Sequence, residues 1–314
     1  MELEELCRKI GEYQGVARKR GLGAALAPLA LPPGGPEDAG VVEHGDEALL
    51  LAADGIMPEL VEADPWWAGF CGVLVNLHDI AAMGGEALAL VDVVSTRGQG
   101  GHVELIRGLR DAAERFGVPV VSGHLHPDAP YEAVDVMVLG RAPAAHLVRS
   151  GTARPGDVLI YAVDLDGQRR PTSPWSWDSV SRRPGDVLRC QLGFVPHLAR
   201  EGMATAAKDV SNPGLVGTLA MMLEARRLGA VVRLEEVPNP NIPYYPWLLL
   251  YPGMGFLAAC APERRDDVLG VAREHLLSAR VIGDVNPTGR LELELRGQRC
   301  CAFDLRQGGL TGLG

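Results

Sequence analysis

The segment from Asp64 to Glu86, DPWWAGFCGVLVNLHDIAAMGGE, constrains the fold more than any other part of the chain. Asp64 is a favourable N-cap, and Pro65 suits the first position of a helix. The paired glycines Gly84 and Gly85 are suited to end that helix. Because almost every residue between these limits is apolar, the segment predicts a helix that is buried on all sides. Other elements of the fold must therefore surround it.

Two polar side chains interrupt this apolar helix. Asn76 and Asp79 are three residues apart and lie on the same helical face. A buried carboxylate is unfavourable unless it is hydrogen-bonded, paired with a cation or bound to a metal. Asp79 is therefore either a structural group, as a cap or the ion-pair partner of an arginine, or part of a ligand site.

Further acidic residues stand at the ends of short apolar strands that we predict upstream of this helix. Asp46 and Glu47 follow Gly45, and Asp54 follows the apolar run 49–53. Loops and strand ends commonly hold ligands. Several carboxylates from separate segments suit a hard cation such as magnesium, which carries the phosphates of a nucleotide.

Three motifs, GDEALLLAADG, NLHDIAAMGGEAL and DVSNPGLVGTLAMMLEA, resemble those of the ATP-binding superfamily of AIR synthase (phosphoribosylformylglycinamidine cyclo-ligase) in order and spacing. Thiamine-monophosphate kinase, selenophosphate synthetase and a hydrogenase-maturation dehydratase belong to the same superfamily. The chain is most similar to its AIR synthase-related branch, whose reaction is unassigned. The resemblance covers nearly the whole chain. It implies an α+β fold of two AIR synthase-like domains, residues 1–150 and 151–314, the second an α/β sandwich.

The resemblance also implies a function. ATP and Mg²⁺ would be the cofactors, and the γ-phosphoryl group would pass to a small-molecule substrate, or activate it for condensation, in a cleft between the domains. It further implies a homodimer that pairs through the sheets of the N-terminal domains. The positions that match family metal ligands are Asp46, Asp54, Asp79 and Asp209. Those implied at the nucleotide are Gly45, Asp46, Asn76, Asp79, Gly123, Ser211 and Asn212. The implied catalytic residues are His124 and Asp209.

Three positions depart from the family pattern and leave other functions open. Glu47 and Asn212 each replace an aspartate of the kinases, and His124 stands where relatives commonly carry an acid. His124 can contact phosphate, act as a base, bind a transition metal together with His126, or be an ordinary loop histidine. The alternatives are therefore a non-catalytic nucleotide-binding partner or sensor of the same fold, and a metal hydrolase with histidine and carboxylate ligands.

The stretch 167–185, GQRRPTSPWSWDSVSRRPG, is too polar and irregular in sequence to predict a regular element. Loops of this length are commonly lids or binding loops. One interpretation is a substrate lid in which Arg169, Arg170 or Arg182 grips an anion while Trp175 or Trp177 supplies a wall. The other is a mobile surface loop.

The first forty residues and the residues after 305 are each predicted from a simple sequence pattern. Apolar residues at helical spacing predict one amphipathic helix over 2–20, and its basic end, Arg18 to Arg20, is either solvated or in contact with phosphate. The proline- and glycine-rich stretch 31–40 predicts a loop. The glycine-rich residues after 305 are expected to fray.

Charge and composition exclude several classes of partner. A formal net charge of -10 argues against a nucleic-acid partner and against binding to an anionic membrane surface. No stretch resembles a signal peptide or a membrane-spanning helix. The six cysteines contain no C-x-x-C pair, as expected for reduced thiols in a cytoplasmic protein.

Overall fold

The computed structural model describes residues 1–29, 37–98 and 103–313. Its helices are α1 Leu3–Glu12, α2 Gln14–Ala17, α3 Leu22–Leu26, α4 Pro58–Ala63, α5 Pro65–Ala82, α6 Val103–Phe116, α7 Gly185–Leu192, α8 Phe194–Arg200, α9 Gly214–Glu224, α10 Tyr244–Trp247 and α11 Arg265–Glu274. Its strands are β1 Gly40–His44, β2 Glu47–Ile56, β3 Glu86–Ser95, β4 Val120–His126, β5 Ala133–Pro143, β6 Val158–Val163, β7 Gln168–Arg170, β8 Ser173–Asp178, β9 Ala206–Asp209, β10 Gly229–Arg233, β11 Gly255–Cys260, β12 Ser278–Asn286, β13 Arg290–Leu295 and β14 Gln298–Asp304. Within the described residues, none of these helices has the length and apolar character needed to cross a membrane.

The strands form two main sheets and one separate hairpin. The first sheet has the order β1-β2-β5-β3-β4, and its pairs are antiparallel except for β3 with β4. The second sheet has the order β14-β13-β10-β12-β6-β11-β9, with β10 and β13 as its parallel pair. The α+β class predicted from the sequence is confirmed.

Helix α5 lies between the two sheets, as its apolar sequence predicts. The Asp64 carboxylate accepts a hydrogen bond from the backbone N–H of Trp67 at 3.1 Å and so caps the helix. Phe70 and Leu74 of α5 share one hydrophobic core with strands of the first sheet and with Phe194 and Phe256 of the second half of the chain. Burial of this helix therefore holds the two halves together.

The N-terminal segment packs on the far face of the second sheet. Ile10 and Val16 are fully buried in a second core that also contains Leu219 of α9. The helix predicted over 2–20 is broken at Tyr13, which has the extended backbone angles φ -58° and ψ 136°. The Tyr13 ring packs edge-on against Trp175, with the ring centroids 5.1 Å apart. Tertiary packing thus overrides the helical periodicity of the sequence at this residue.

Residues 168–178 form an ordered hairpin, β7–β8, so the prediction of an irregular loop is wrong. The Arg170 guanidinium pairs with Asp64 at 2.7 Å and with Asp178 at 2.9 Å. Trp67 donates its indole N–H to Ser176 Oγ at 3.2 Å. These contacts fasten the hairpin to the start of α5. Because both carboxylates already pair with it, Arg170 is not free to bind an anion, which leaves Arg169 and Arg182 of the three arginines named in the lid interpretation.

We expect Arg170→Ala to lower the free energy of unfolding by about 3 kcal/mol, because it leaves the Asp178 carboxylate buried without a cation. Chemical denaturation followed by tryptophan fluorescence measures this change. The matched control is Arg169→Ala. Arg169 is exposed and its side chain donates to the Pro174 carbonyl, so its loss is expected to stay within about 0.5 kcal/mol. Equal, small effects of the two variants would contradict the proposed role of the ion network.

Candidate functional site

A cleft of about 1410 Å³ opens between the two sheets. Its walls come from the N-terminal segment, the end of β2, one face of α5, the β7–β8 hairpin, the β9–α9 connection and the last described residues of the chain. The volume exceeds the roughly 300–1,000 Å³ typical of small-molecule pockets. The cleft therefore has room for a nucleotide and a second ligand.

Three carboxylates from distant segments converge in this cleft. Asp38 precedes β1, Asp79 lies near the end of α5, and Asp209 is the last residue of β9. Each offers one oxygen, and these three oxygens all lie within 4.8 Å of one another. Asp54, near the end of β2, also lines the cleft, and its charge acts on both Asp79 and Asp209.

Burial and mutual repulsion raise the pKa of these carboxyl groups. For Asp79, burial followed by the charges of Asp209, Asp54 and Asp38 raises the pKa well above its usual value. Burial and the charge of Asp38 raise the pKa of Asp209 to about 8. Burial also raises the pKa of Asp38 and of Asp54. Without a cation, the group can therefore carry its full negative charge only at alkaline pH.

One buried lysine offsets part of this charge. Lys208 is 3% exposed and forms an ion pair with Asp38. Burial acts to lower the pKa of Lys208, but the carboxylates of Asp38 and Asp209 act more strongly and raise it. The second oxygen of Asp38, Oδ2, is buried without a hydrogen-bond partner among the described residues. An excess of oxygen donors with one orphaned oxygen fits a divalent cation such as Mg²⁺.

The N-terminal strap, residues 13–23, runs along the cleft. Gly15 packs directly on Asn212, where a Cβ atom would lie 2.3 Å from the Asn212 carbonyl oxygen. Arg18 contacts the Met57 sulfur, and the charge of Lys19 acts on Asp54 and Asp209. The predicted basic segment thus lines the cleft, and its contact with phosphate stays a proposal.

Four cations in the cleft have no carboxylate partner. Within residues 1–29, 37–98 and 103–313, the cleft-lining side chains that form no ion pair are Arg18, Lys19, Arg149 and Arg226, and Arg18 contacts the Met57 sulfur. A triphosphate needs such charges beside its metal ion. The cleft therefore combines a site for a cation with free positive groups for an anion.

Two of the predicted residues lie at the opposite end of β2 from this site. Gly45 and Asp46 form the turn between β1 and β2, whereas Asp54 is near the far end of the ten-residue strand. Eight residues of extended strand span about 26 Å. The expectation that Asp46 joins the other carboxylates at one metal site is therefore not met within a single chain.

Gly123 and His124 also lie outside the cleft. They belong to the edge strand β4, whose residues are all exposed, and His124 stands beside Val93 in the register with β3. The rings of His124 and His126 are 4.6 Å apart, but neither imidazole belongs to the carboxylate cluster. Within one chain, His124 therefore does not reach the cleft, and the catalytic role predicted for it would require a second copy of the chain.

The remaining predicted residues divide between core and cleft. Asn76 is fully buried and donates its amide to the Gly72 carbonyl at 2.8 Å within α5. Its Oδ1 has no hydrogen-bond partner among the described residues, and Asn76 does not belong to the lining of the cleft. Ser211 and Asn212 do line the cleft. Asn212 donates its side-chain amide to the Tyr251 hydroxyl at 2.9 Å.

Sequence analysis missed Asp38 and Lys208. Asp38 follows the proline- and glycine-rich stretch predicted to be a loop, of which residues 31–36 lie outside the described residues. The available signals were the acidic pair Glu37-Asp38 just before a strand and a lysine placed inside the apolar run 206–210. Neither signal reveals that the two side chains meet.

These pKa shifts predict how the binding of Mg²⁺ to the carboxylate cluster would change the stability of the protein. A carboxyl whose pKa is raised in the folded state stabilises the fold below its unfolded pKa, and this contribution is lost as pH rises through the folded value. For Asp209 the loss extends from about pH 4 to about pH 8. Mg²⁺ should therefore raise the melting temperature more at about pH 8.5 than at about pH 6, as measured by calorimetry.

Asp79→Asn supplies the matched comparison, because it keeps the shape of the side chain and removes one repelling charge. Without magnesium at alkaline pH, this variant should melt about 2 °C or more above the unaltered protein. Magnesium should then add little further stability at either pH. A stabilisation by Mg²⁺ that is equal in both proteins would show that the ion binds elsewhere.

Comparison with known proteins identifies relatives of this chain. Family models described as the N-terminal and C-terminal domains of AIR synthase related protein match residues 36–142 and 154–296. An uncharacterized protein of Methanocaldococcus jannaschii is 34% identical in an alignment of 296 residues that covers 91% of each chain. The PurL subunit of phosphoribosylformylglycinamidine synthase from Methanothermobacter thermautotrophicus is 26% identical. That match covers 83% of this chain but only 40% of PurL.

A solved structure has the same fold. T. maritima PurL complexed with ATP superposes with a TM-score of 0.76 over 95% of this chain and 48% of that chain. Because the two sequences are 21% identical, this likeness shows the fold alone.

Proposed function

The chain belongs to the AIR synthase-related family, and from this membership we propose that it uses ATP and Mg²⁺ to phosphorylate a small molecule or to activate one for condensation. The observation that carries the proposal is the cluster of Asp38, Asp79 and Asp209 in the large cleft. The unpaired cations around it complement a triphosphate. The relative PurL, which was solved with ATP, supports the choice of nucleotide.

The residues of the chain act chiefly by positioning. Asp38, Asp79 and Asp209, with Asp54 beside them, would hold Mg²⁺, and Lys208 keeps Asp38 in place. When bound, the ion would supply positive charge that offsets the negative charge of the phosphates. As the acceptor oxygen bonds to the γ-phosphorus, the bond from that phosphorus to the leaving ADP breaks. Lys19 is placed to stabilise the charge of the transferred group.

The acceptor would lie at the hairpin end of the cleft. Trp175 and Ser173 of the hairpin line this end together with Tyr251 and Asn212. The tryptophan wall of the lid hypothesis is thus retained in Trp175, while Trp177 is buried in the core. A wall of aromatic rings and neutral hydrogen-bonding groups suits an acceptor with a planar or apolar part.

Calorimetric titration with ATP, with and without magnesium, tests the proposal. We expect binding that depends on magnesium and that falls at least about tenfold in both Asp54→Asn and Asp79→Asn, because each removes a ligand or neighbour of the ion. Asp46→Asn is the matched control. Its carboxylate lies at the other end of β2, so this variant should bind like the unaltered chain.

Two outcomes would overturn the metal site: ATP binding that does not require magnesium, and full magnesium-dependent binding by Asp79→Asn. Turnover decides between the enzyme and a non-catalytic nucleotide-binding protein of the same fold. The second candidate is favoured by Asn212, which presents an amide held by Tyr251 in place of a free carboxylate. Hydrolysis or transfer of the γ-phosphate with any candidate acceptor would reject it.

We also propose that two copies pair through the outer face of the first sheet. Leu51 and Leu139 are neighbours in the register of β2 and β5, and they are 52% and 36% exposed. Val42 of β1 extends the same apolar face at 49% exposure. Such a contiguous apolar surface marks an interface. His124 belongs to the same sheet, so its catalytic role depends on this second copy.

The double variant Leu51→Glu/Leu139→Glu should convert the dimer into a monomer, because it buries four like charges in a symmetric interface. Light scattering after gel filtration measures the mass. Ile106→Glu, an exposed position on α6 at the opposite side of the sheet, is the control and should remain dimeric. A monomeric unaltered chain would refute the pairing.

A further inference from the structure

The last described residues do not fray, contrary to the expectation from their glycine content. Leu310 and Thr311 are 6% and 0% exposed. Glu224, at the end of α9, is 1% exposed and accepts hydrogen bonds from the backbone N–H groups of both residues. Its other oxygen accepts the Thr311 hydroxyl at 2.5 Å. A buried carboxylate thus fixes the terminal segment, residues 308–313, against α9.

The terminal segment is also shaped for these contacts. Gly309 has φ +69°, and a Cβ atom there would lie 2.3 Å from the Glu224 carboxylate. On the other side, the backbone N–H of Gly23 in the N-terminal strap donates to the Thr311 carbonyl at 2.8 Å. The strap and the terminal segment therefore meet at one end of the cleft, and Gly312 and Leu313 line that end.

Contacts along the strap give the order of groups in the cleft. Gly15 packs on Asn212 at the hairpin end, Lys19 faces the carboxylates, and Gly23 reaches the terminal segment. The carboxylate cluster therefore lies between a hairpin end and a terminal end. A nucleotide whose phosphates meet the cluster must extend toward one of them.

The distribution of charge selects the terminal end for the nucleotide. Two of the cleft cations that form no ion pair among the described residues lie beside α9: Arg226 follows this helix, and Arg149 precedes the short helix Ser150–Thr152 that packs against it. The hairpin end has one such cation, Arg18, which contacts Met57, because Arg170 is neutralised by two carboxylates. Apolar side chains at the terminal end, Leu22, Met221 and Leu313, can cover the faces of a planar base.

We propose that Leu313 and the backbone of Gly312 form one wall of the subsite for the purine base, and that Glu224 is the positioning residue for this wall. The inference rests on the proposed function, since it assumes that the carboxylates hold a magnesium–nucleotide complex. It assigns the terminal segment a part in recognising the base, separate from the groups that bind the phosphates.

The test compares magnesium–ATP with magnesium–tripolyphosphate, a probe that has the phosphates but no base. Leu313→Ala should weaken binding of magnesium–ATP about tenfold, because it removes apolar contact with the base. It should leave magnesium–tripolyphosphate binding within about twofold of the unaltered chain. Leu276→Ala, an exposed leucine that does not line the cleft, is the matched control and should change neither value.

Glu224→Gln provides an independent variant, since it keeps the size of the side chain but not all of its accepted hydrogen bonds. It should show the same selective loss for ATP while melting as one cooperative unit. Equal losses for both probes, or no loss for either, would overturn the inference. If the unaltered chain binds both probes equally well, the base subsite is refuted while the metal site stands. If it binds neither probe with magnesium, the proposed function itself fails, and the inference with it.

Discussion

Repulsion between buried carboxylates is the constraint around which the cleft is organised. Asp38, Asp79 and Asp209 come from three segments that are far apart in sequence. The fold brings one carboxylate oxygen of each within 4.8 Å of the others, beside the buried Lys208. A fold that only had to be stable would avoid such a cluster, because each added like charge makes ionisation less favourable. In the proposed function, a divalent cation bound by the cluster would make this arrangement favourable, so that stability and ligand binding would be linked at this point.

The sequence predicted the parts of the site that depend on local pattern. The cap, length and burial of α5 followed from its own residues, and Asp54, Asp79 and Asp209 followed from motifs that the family shares. Asp38 could not be found in this way, because its partner Lys208 is 170 residues away. The contact of Glu224 with the terminal segment escaped prediction for the same reason. Pairings over such separations depend on topology, which a linear pattern does not encode.

Other predicted site residues do not meet within one chain, because closeness in sequence does not fix closeness in space. Asp46 and Asp54 stand close in sequence, yet the extended strand between them carries them to opposite ends of a sheet. Asn76 shares a helix with Asp79, but its amide bonds to its own backbone. The polar hairpin sequence was misleading because Arg170, its charged group, is satisfied by two carboxylates and supports regular structure.

The hydrophobic core around α5 extends across the boundary between the two regions that the family models match. The family models divide the chain between residues 142 and 154. Yet Phe70 packs in one continuous core with Phe194 and Phe256 from beyond that division. The two regions matched by the family models therefore share one core and are not independent folding units. Either half produced alone would expose a large hydrophobic surface to water. We therefore expect it to aggregate rather than to fold to its native structure.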